Sequence, residues 1–371
     1  DKSAYIGTLG AGMYSSNSDN QPINNTINTT PDAISMQRLL AEFVAEGSCQ
    51  VALEASSHAL VQHRIKAVKI DIAIFTNLSR DHLDYHGSMA EYAAAKRFLL
   101  CQPELAYVVL NVNDPEHKNW LANVPKTSFV VLYGHNRNNV DIPSGFKYCL
   151  ANNVRYTAEG IALSVQSSWG DCELRLSLLA EFNISNVLAA ICSQLCLGKS
   201  LKQIAYIVQK LSPVAGRMEL YKRQGHATIV VDYAHTPDAL DKALLASKQH
   251  CHGKLFCVFG CGGDRDVGKR SLMGEIAERL SDQVILTDDN VRSENPQDII
   301  NDILAGCINP ERVLIEHDRK AAIKTAAAMA SAGDMILVAG KGHENYQVIG
   351  KQTLAYDERQ FVALFQEGKS I

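Results

Sequence analysis

The sequence predicts an α/β protein in two domains, the second a doubly wound sheet-and-helix domain. Two observations carry that reading. After the turn-rich run Ser212-Pro213-Val214-Ala215-Gly216-Arg217, short apolar strand-like segments alternate regularly with helical ones. Before it, buried-strand and helical patterns lead into a stretch that alternates apolar and polar residues. A length of 371 residues is ample for two cores. The expected domains are residues 1–212 and 213–371.

In the first half, Val51 to Ala55 and Ile70 to Leu78 read as buried strands, Met89 to Leu100 as a helix and Ala106 to Val112 as another strand. Val154 to Leu178 alternates around Gly160 and Gly170, which predicts an antiparallel meander. Helices over Asn183 to Leu197 and Leu201 to Leu211 close the domain. In the second half, strands are predicted at Thr228 to Tyr233, Leu255 to Phe259, Gln283 to Leu286, Arg312 to Ile315 and Met335 to Ala339, with four helices between them. The Asn/Thr-rich stretch from Ser15 to Thr30 reads as an irregular loop, either ligand-facing or simply solvated.

A formal net charge of -4 argues against a protein that coats nucleic acid. Ten cysteines lack CxxC pairing, and Cys192/Cys196 and Cys257/Cys261 lie inside apolar segments as core thiols. That usage fits a reducing cytoplasm. No apolar run is long enough to span a bilayer.

The chemistry-bearing runs sit where strands give way to loops, the edge at which open parallel sheets bind ligands. Leu286-Thr287-Asp288-Asp289-Asn290-Val291-Arg292 and Lys341-Gly342-His343-Glu344 bring both charge signs to two such ends, which suits an amino acid. Glu54-Ala55-Ser56-Ser57-His58 and Asn77-Leu78-Ser79-Arg80-Asp81-His82-Leu83-Asp84-Tyr85-His86 suggest a hard-metal or phosphate site. Gly263 to Lys269 imitates a nucleotide phosphate loop but fails at Arg270, where a hydroxyl residue is needed. Its three basic residues, Arg265, Lys269 and Arg270, still favour an anion at a helix start. Taken alone, Lys96 is a solvated helix lysine. Thr236 caps a helix begun by Pro237, which leaves Asp232 and His235 free to meet a ligand.

Together the runs Glu-Ala-Ser-Ser-His, Asn-Leu-Ser-Arg-Asp-His-Leu-Asp-Tyr-His, Asp-Tyr-Ala-His-Thr-Pro and Gly-Lys-Gly-His-Glu resemble the Mur ligases, ATP-dependent amide-forming enzymes of peptidoglycan precursor synthesis. The likeness runs nearly from end to end and points to members that add meso-diaminopimelate to UDP-N-acetylmuramoyl-L-alanyl-D-glutamate. It implies a central ATPase-type domain followed by a Rossmann-like C-terminal domain, in a cytoplasmic monomer. It implies that Lys96 is carbamylated by carbon dioxide and helps hold Mg2+ with Glu54 and His82. Asn28, Thr29, Thr30, Ser56, Gln62 and Arg64 match contacts to the UDP-muramoyl dipeptide. Asn183, Asn186, Asp232 and His235 match the ATP side. Arg265, Asp289, Asn290, Arg292, Gly340 and Glu344 match the diaminopimelate pocket. The implied reaction passes through an acyl phosphate that the acceptor amine attacks.

The chain departs from that pattern in three places. The family's phosphate loop and N-terminal domain are missing before Asp1, so the chain is expected to be a truncated fragment with little ligase activity of its own. Val291 replaces a usual proline, which is expected to loosen the loop. Ala180 stands where a glycine is common. A non-catalytic diamino-acid-binding module and a lysine-adding sister ligase are the competing readings, and Arg292 speaks against the second.

Overall fold

The computed structural model describes residues 2–14, 26, 28–79, 81–135, 140 and 142–369, with Asp84 described by its backbone alone. Most of the Ser15 to Thr30 loop reading therefore lies outside the described residues. The chain divides into two compact units, one of Asp1–Leu150, Ser167–Trp169 and Leu188–Lys199, the other of Ala151–Gln166, Gly170–Val187 and Ser200–Ile371.

In the first unit, β1 (Ser3–Gly7) pairs antiparallel with β2 (Gly10–Tyr14) and parallel with β3 (Gln50–Leu53). Helix α1 (Ala33–Ala45) starts at Asp32, whose carboxylate accepts the Ile34 and Ser35 N–H groups. Its Met36, Leu39 and Phe43, spaced by three and four, fall on one buried face. Helix α2 (Ser57–Val61) is capped by Ser56. Next come β4 (Ile72–Phe75), α3 (Leu83–His86), α4 (Met89–Arg97), β5 (Tyr107–Asn111), α5 (His117–Ala122) and β6 (Phe129–His135). Strand β5 pairs in parallel with β4 and β6. Trp120 packs against Phe75 beneath them, ring centres 4.6 Å apart.

Strands β7 (Lys147–Thr157), β8 (Gly160–Ser167) and β9 (Gly170–Leu176) are neighbours in that order. Their two-residue links permit only antiparallel pairing, so the meander is real and begins seven residues earlier than the alternation signalled. Helices α6 (Phe182–Cys196) and α7 (Leu201–Val208) follow, the latter opened by a reciprocal Ser200/Gln203 capping box.

The rest of the second unit is the doubly wound domain. It comprises β10 (Glu219–Tyr221), β11 (Thr228–Asp232), α8 (Pro237–His250), β12 (Leu255–Phe259), α9 (Gly268–Leu280), β13 (Gln283–Leu286), α10 (Pro296–Leu304), β14 (Leu314–Ile315), α11 (Arg319–Met329), β15 (Met335–Ala339), β16 (Tyr346–Ile349), β17 (Gln352–Ala355) and α12 (Glu358–Gln366). The sheet order is β10-β11-β15-β12-β13-β14, parallel except for the β10 edge. Alternate residues serve opposite faces: Val230 and Leu337 meet α8, α9 and α10, whereas Ile229, Val231, Ile336 and Val338 meet α11 and α12. Both faces are buried, so these strands read as continuous apolar runs.

Connections leave β12 and β15 toward opposite faces, which opens a crevice at their carboxyl ends. The loops after β12, β13 and β15 converge there. Ala180 takes a left-handed backbone, φ 69°, which an alanine adopts only at a cost. Its N–H donates to Nε2 of His250, 3.2 Å away, and His250 Nδ1 donates to the Thr157 carbonyl at 2.7 Å. The alanine in place of glycine thus stands at a turn that a buried histidine holds.

Candidate functional site

The first unit gathers Glu54, Thr8, Thr30, Ser56 and Arg64 at the end of β3. The Glu54 carboxylate accepts the Thr8 hydroxyl at 2.8 Å and the Thr8 N–H at 3.3 Å, so it lies over the β1–β2 turn while staying exposed. Thr30 is fully buried: its hydroxyl donates to the Glu54 carbonyl at 2.6 Å and accepts the Ser56 N–H at 3.0 Å. Arg64 donates to the Thr30 carbonyl at 2.8 Å and to the Gln62 side chain. Thr30 and Arg64 thus brace this corner, while Asn28 is exposed and Thr29 lies 3.2 Å from Thr8, hydroxyl to hydroxyl.

Beside it, His58, His82, Tyr85, His86 and Tyr92 form a ring cluster. His82 has a left-handed backbone, φ 52°, and turns its ring edge to His58 at 5.0 Å. Lys96 lies on α4 with its amine 5.2 Å from the Tyr92 ring. Burial pulls its ammonium below the ordinary lysine range, against the opposing pull of Asp114 and Asp81. Lys96 is therefore not a solvated helix lysine. Met89, Ala90, Ala93 and Arg97 of α4 line a cavity of about 460 Å3 with Leu78, Asp114 and Asn119.

Among the described residues no group of three His, Cys, Asp or Glu side chains stands ready to hold a metal. Mg2+ takes few ligands from protein and completes its shell with water and phosphate oxygens. An exposed Glu54 carboxylate meets that requirement, and carbamylation of Lys96 would supply a second anion.

In the second unit, the Asp232 carboxylate accepts the N–H groups of Met218 and Ala234, each at 2.8 Å. It is engaged rather than free, and burial raises its pKa in spite of those bonds. Gly216, φ 65°, permits the close approach here, because a Cβ would fall 2.2 Å from the Gly342 carbonyl carbon. The Arg217 guanidinium lies over the Tyr233 ring at 4.6 Å, with the His235 and His343 rings against the same tyrosine. At the start of α6, the Asn183 amide donates to the Leu179 carbonyl at 2.6 Å and its oxygen faces Asn186 at 3.3 Å.

The loops after β13 and β15 build a tighter constellation. Lys341 is fully buried, with its ammonium 2.7 Å from Asn290 Oδ1 and 3.2 Å from both Asp289 and Glu344. Asn290 Nδ2 donates to the same Glu344 oxygen, Oε2, at 3.0 Å. Burial would raise the Asp289 carboxyl, but Lys341 and Arg319 hold it below the usual carboxylate range. Behind it, Arg319 is buried against Glu358 and donates to the Ala339 carbonyl at 2.7 Å.

Arg292 has φ 50°, and one guanidinium nitrogen, Nη1, donates to the Gly263 and Asn290 carbonyls at 2.8 and 3.3 Å. Nε and Nη2 make no hydrogen bond to the described protein. Counting Asp289, Lys341, Glu344 and Arg292, the charges cancel, as a zwitterionic ligand requires.

The model of the Mur ligase middle domain matches residues 1–194, and that of the Mur ligase glutamate ligase domain matches residues 216–342. A solved UDP-N-acetylmuramoyl-L-alanyl-D-glutamate–2,6-diaminopimelate ligase is 37% identical over 100% of this chain and 74% of its own, with a TM-score of 0.76. The chain belongs to the Mur ligase family.

Two more distant structures share the fold. A Mycobacterium tuberculosis folylpolyglutamate synthase complexed with ADP and AMPPCP is 16% identical over 91% of this chain and 82% of its own, TM-score 0.63. The Thermotoga maritima MurF ligase in complex with ADP is 18% identical over 85% of this chain and 66% of its own, TM-score 0.58.

In this Mur ligase the anion reading of the turn after β12 does not hold as first drawn. Arg270 is buried and forks onto Glu294, with a second bond to Asp302 at 2.9 Å, and Lys269 donates to the His235 carbonyl. Of the three cations, Arg265 alone stays exposed without a carboxylate partner among the described residues. Val291, in the place of the usual proline, is buried in the core at 2% exposure. Sequence reading passed over Lys341, Arg319 and Arg217. Lys341 lies in a strand-end run and Arg217 in the turn-rich break, and for Lys341 and Arg319 only burial separates an organising cation from a solvated one. Among the described residues no helix is long and apolar enough to cross a membrane.

Proposed function

We propose that this protein acts in ATP-dependent ligation of meso-diaminopimelate to UDP-N-acetylmuramoyl-L-alanyl-D-glutamate, with residues 1–212 as the middle domain and 213–371 as the acceptor domain. The observation that carries the reading is the half-satisfied Arg292. Protein carbonyls hold one edge of its fork, which leaves Nε and Nη2 to take the carboxylate at the far end of the diamino acid. Glu344 Oε2 is occupied by Lys341 and Asn290, and its other oxygen serves the ligand's ammonium. L-Lysine lacks the distal carboxylate and would leave the fork unpaired.

Chemistry of the donor site follows from Lys96. Its desolvated amine keeps a larger neutral fraction, the form that adds to carbon dioxide; loss of a proton to solvent leaves a carbamate anion. Glu54 and that carbamate would hold Mg2+, with His82 beside them. A magnesium ion held there would neutralise charge on the phosphoryl group. Asn183, Asn186, Asp232, His235 and Arg217 are the nucleotide-side residues. Asn28, Thr29, Ser56 and Gln62 face the precursor, with Thr30 and Arg64 as their braces.

The test is ADP formation by the complete gene product. It is expected to require both the precursor and the diamino acid, to fall at least ~100-fold in Lys96→Ala, and to recover in part with formate or acetate, which return a carboxylate to the gap. ADP formation by Lys96→Ala at the wild-type rate would remove the carbamate from the account.

A further inference from the structure

The loop that carries Asp289, Asn290 and Arg292 is clamped by the β16–β17 hairpin. The Arg292 N–H donates to the Val348 carbonyl at 3.1 Å, and the Gly350 N–H donates to the Arg292 carbonyl at 2.7 Å. Arg292 and Ile349 form an isolated parallel bridge. The Val348 N–H donates to Asn290 Oδ1 at 2.9 Å, the oxygen that also takes the Lys341 ammonium. From the hairpin, the Gln347 side chain joins this ladder: its Nε2 donates to the Asp289 carbonyl at 3.0 Å and to the Asp288 carbonyl at 3.4 Å.

Beyond the Lys341 ammonium 5.6 Å from the Tyr346 ring, the hairpin has little else to hold it. Tyr346, Ile349 and Leu354 are each about two-fifths exposed, and every residue of β17 is exposed. Apolar burial therefore contributes little, and its seat depends on the hydrogen bonds to the loop. The same bonds fix the left-handed backbone of Arg292, which a non-glycine residue keeps only when its surroundings impose it.

We propose that the β16–β17 hairpin sets the aim of Arg292, and that Gln347 is its positioning residue, governing acceptor selectivity without touching the acceptor. The proposal rests on the acceptor reading above. Gln347 is suited to the role because its amide spans two successive carbonyls of the loop. A glutamate of the same shape would set an anion against those carbonyls, next to Asp289 and Glu344.

Two measurements on the full chain test it, with variants Gln347→Glu and Gln347→Met. In calorimetric titrations, meso-diaminopimelate affinity should fall about 10-fold while the weaker L-lysine binding changes less than about 2-fold. In an Arg292→Ala background, Gln347→Glu should add almost nothing, because the residue it aims is gone. Without any ligand, phenylglyoxal should modify Arg292 several-fold faster in both variants, read by peptide mass mapping, at an unchanged melting temperature. Wild-type labelling rates in both variants would overturn the clamp. Equal losses for both amino acids would overturn its role in selectivity. Should the wild-type chain fail to bind meso-diaminopimelate, the acceptor reading falls, and the labelling rates alone decide the clamp.

Discussion

Replacing Arg292 with alanine is expected to weaken meso-diaminopimelate binding by about 10- to 100-fold and to leave L-lysine binding almost unchanged. The magnitude follows from losing a charge-assisted pair worth roughly 1.5–3 kcal/mol, at about 1.4 kcal/mol per tenfold. Direction follows from geometry: the free edge of the fork is what the distal carboxylate meets, and lysine has no such group. Arg292→Lys should lose nearly as much, because an ammonium cannot donate in parallel to both carboxylate oxygens while keeping the Gly263 carbonyl. Calorimetric titration of both variants with both amino acids checks this. Equal losses for the two ligands would place Arg292 in the general integrity of the loop instead.

The largest effect on stability is expected at Arg319. Its guanidinium and the Glu358 carboxylate are each no more than 1% exposed, and Tyr356 donates to the same carboxylate at 3.0 Å. Arg319→Met strands Glu358 in the core and should cost about 3–5 kcal/mol in urea unfolding. Arg319→Met with Glu358→Leu removes both charges and should recover most of that loss. A double variant no more stable than the single one would refute the account. The pair also bears on the acceptor pocket, since Arg319 helps hold Asp289 ionised and donates to the carbonyl just before Gly340. Arg319→Met should therefore weaken diaminopimelate binding even where the protein remains folded.

The doubly wound sheet was legible because its central strands, β11, β12, β13 and β15, are buried on both faces, although β14 is reduced to the exposed pair Leu314–Ile315. All five predicted strands, from Thr228 to Ala339, are present with the expected helices between them. Exposed or short elements left a weaker imprint. The β16–β17 hairpin and β1–β2 have no long apolar run to announce them, and β6 at Phe129–His135 begins on an exposed phenylalanine. At the site, the strand-end charge runs pointed to the right loops, but not to how each charge is spent. Arg270 and Lys341 read like their solvated neighbours in a sequence; a carboxylate on a distant segment, Glu294 or Asp289, makes the difference. Lys96 shows the same limit from the other side. Its helix composition speaks of solvent, and only the packing of Tyr92 and the surrounding loops desolvates it. Ala180 could be noticed as an odd residue for its place, whereas the histidine seventy residues on that secures it could not.

The central claim is that the loops after β13 and β15 form an acceptor pocket selective for a diamino acid with a carboxylate at each end. Its most direct test is competition between meso-diaminopimelate and L-lysine for incorporation into the UDP-muramoyl peptide by the complete gene product. The account predicts that meso-diaminopimelate wins by about 10- to 100-fold in kcat/KM, and that Arg292→Ala collapses the ratio toward one. Equal incorporation of the two, or preference for lysine, would contradict it.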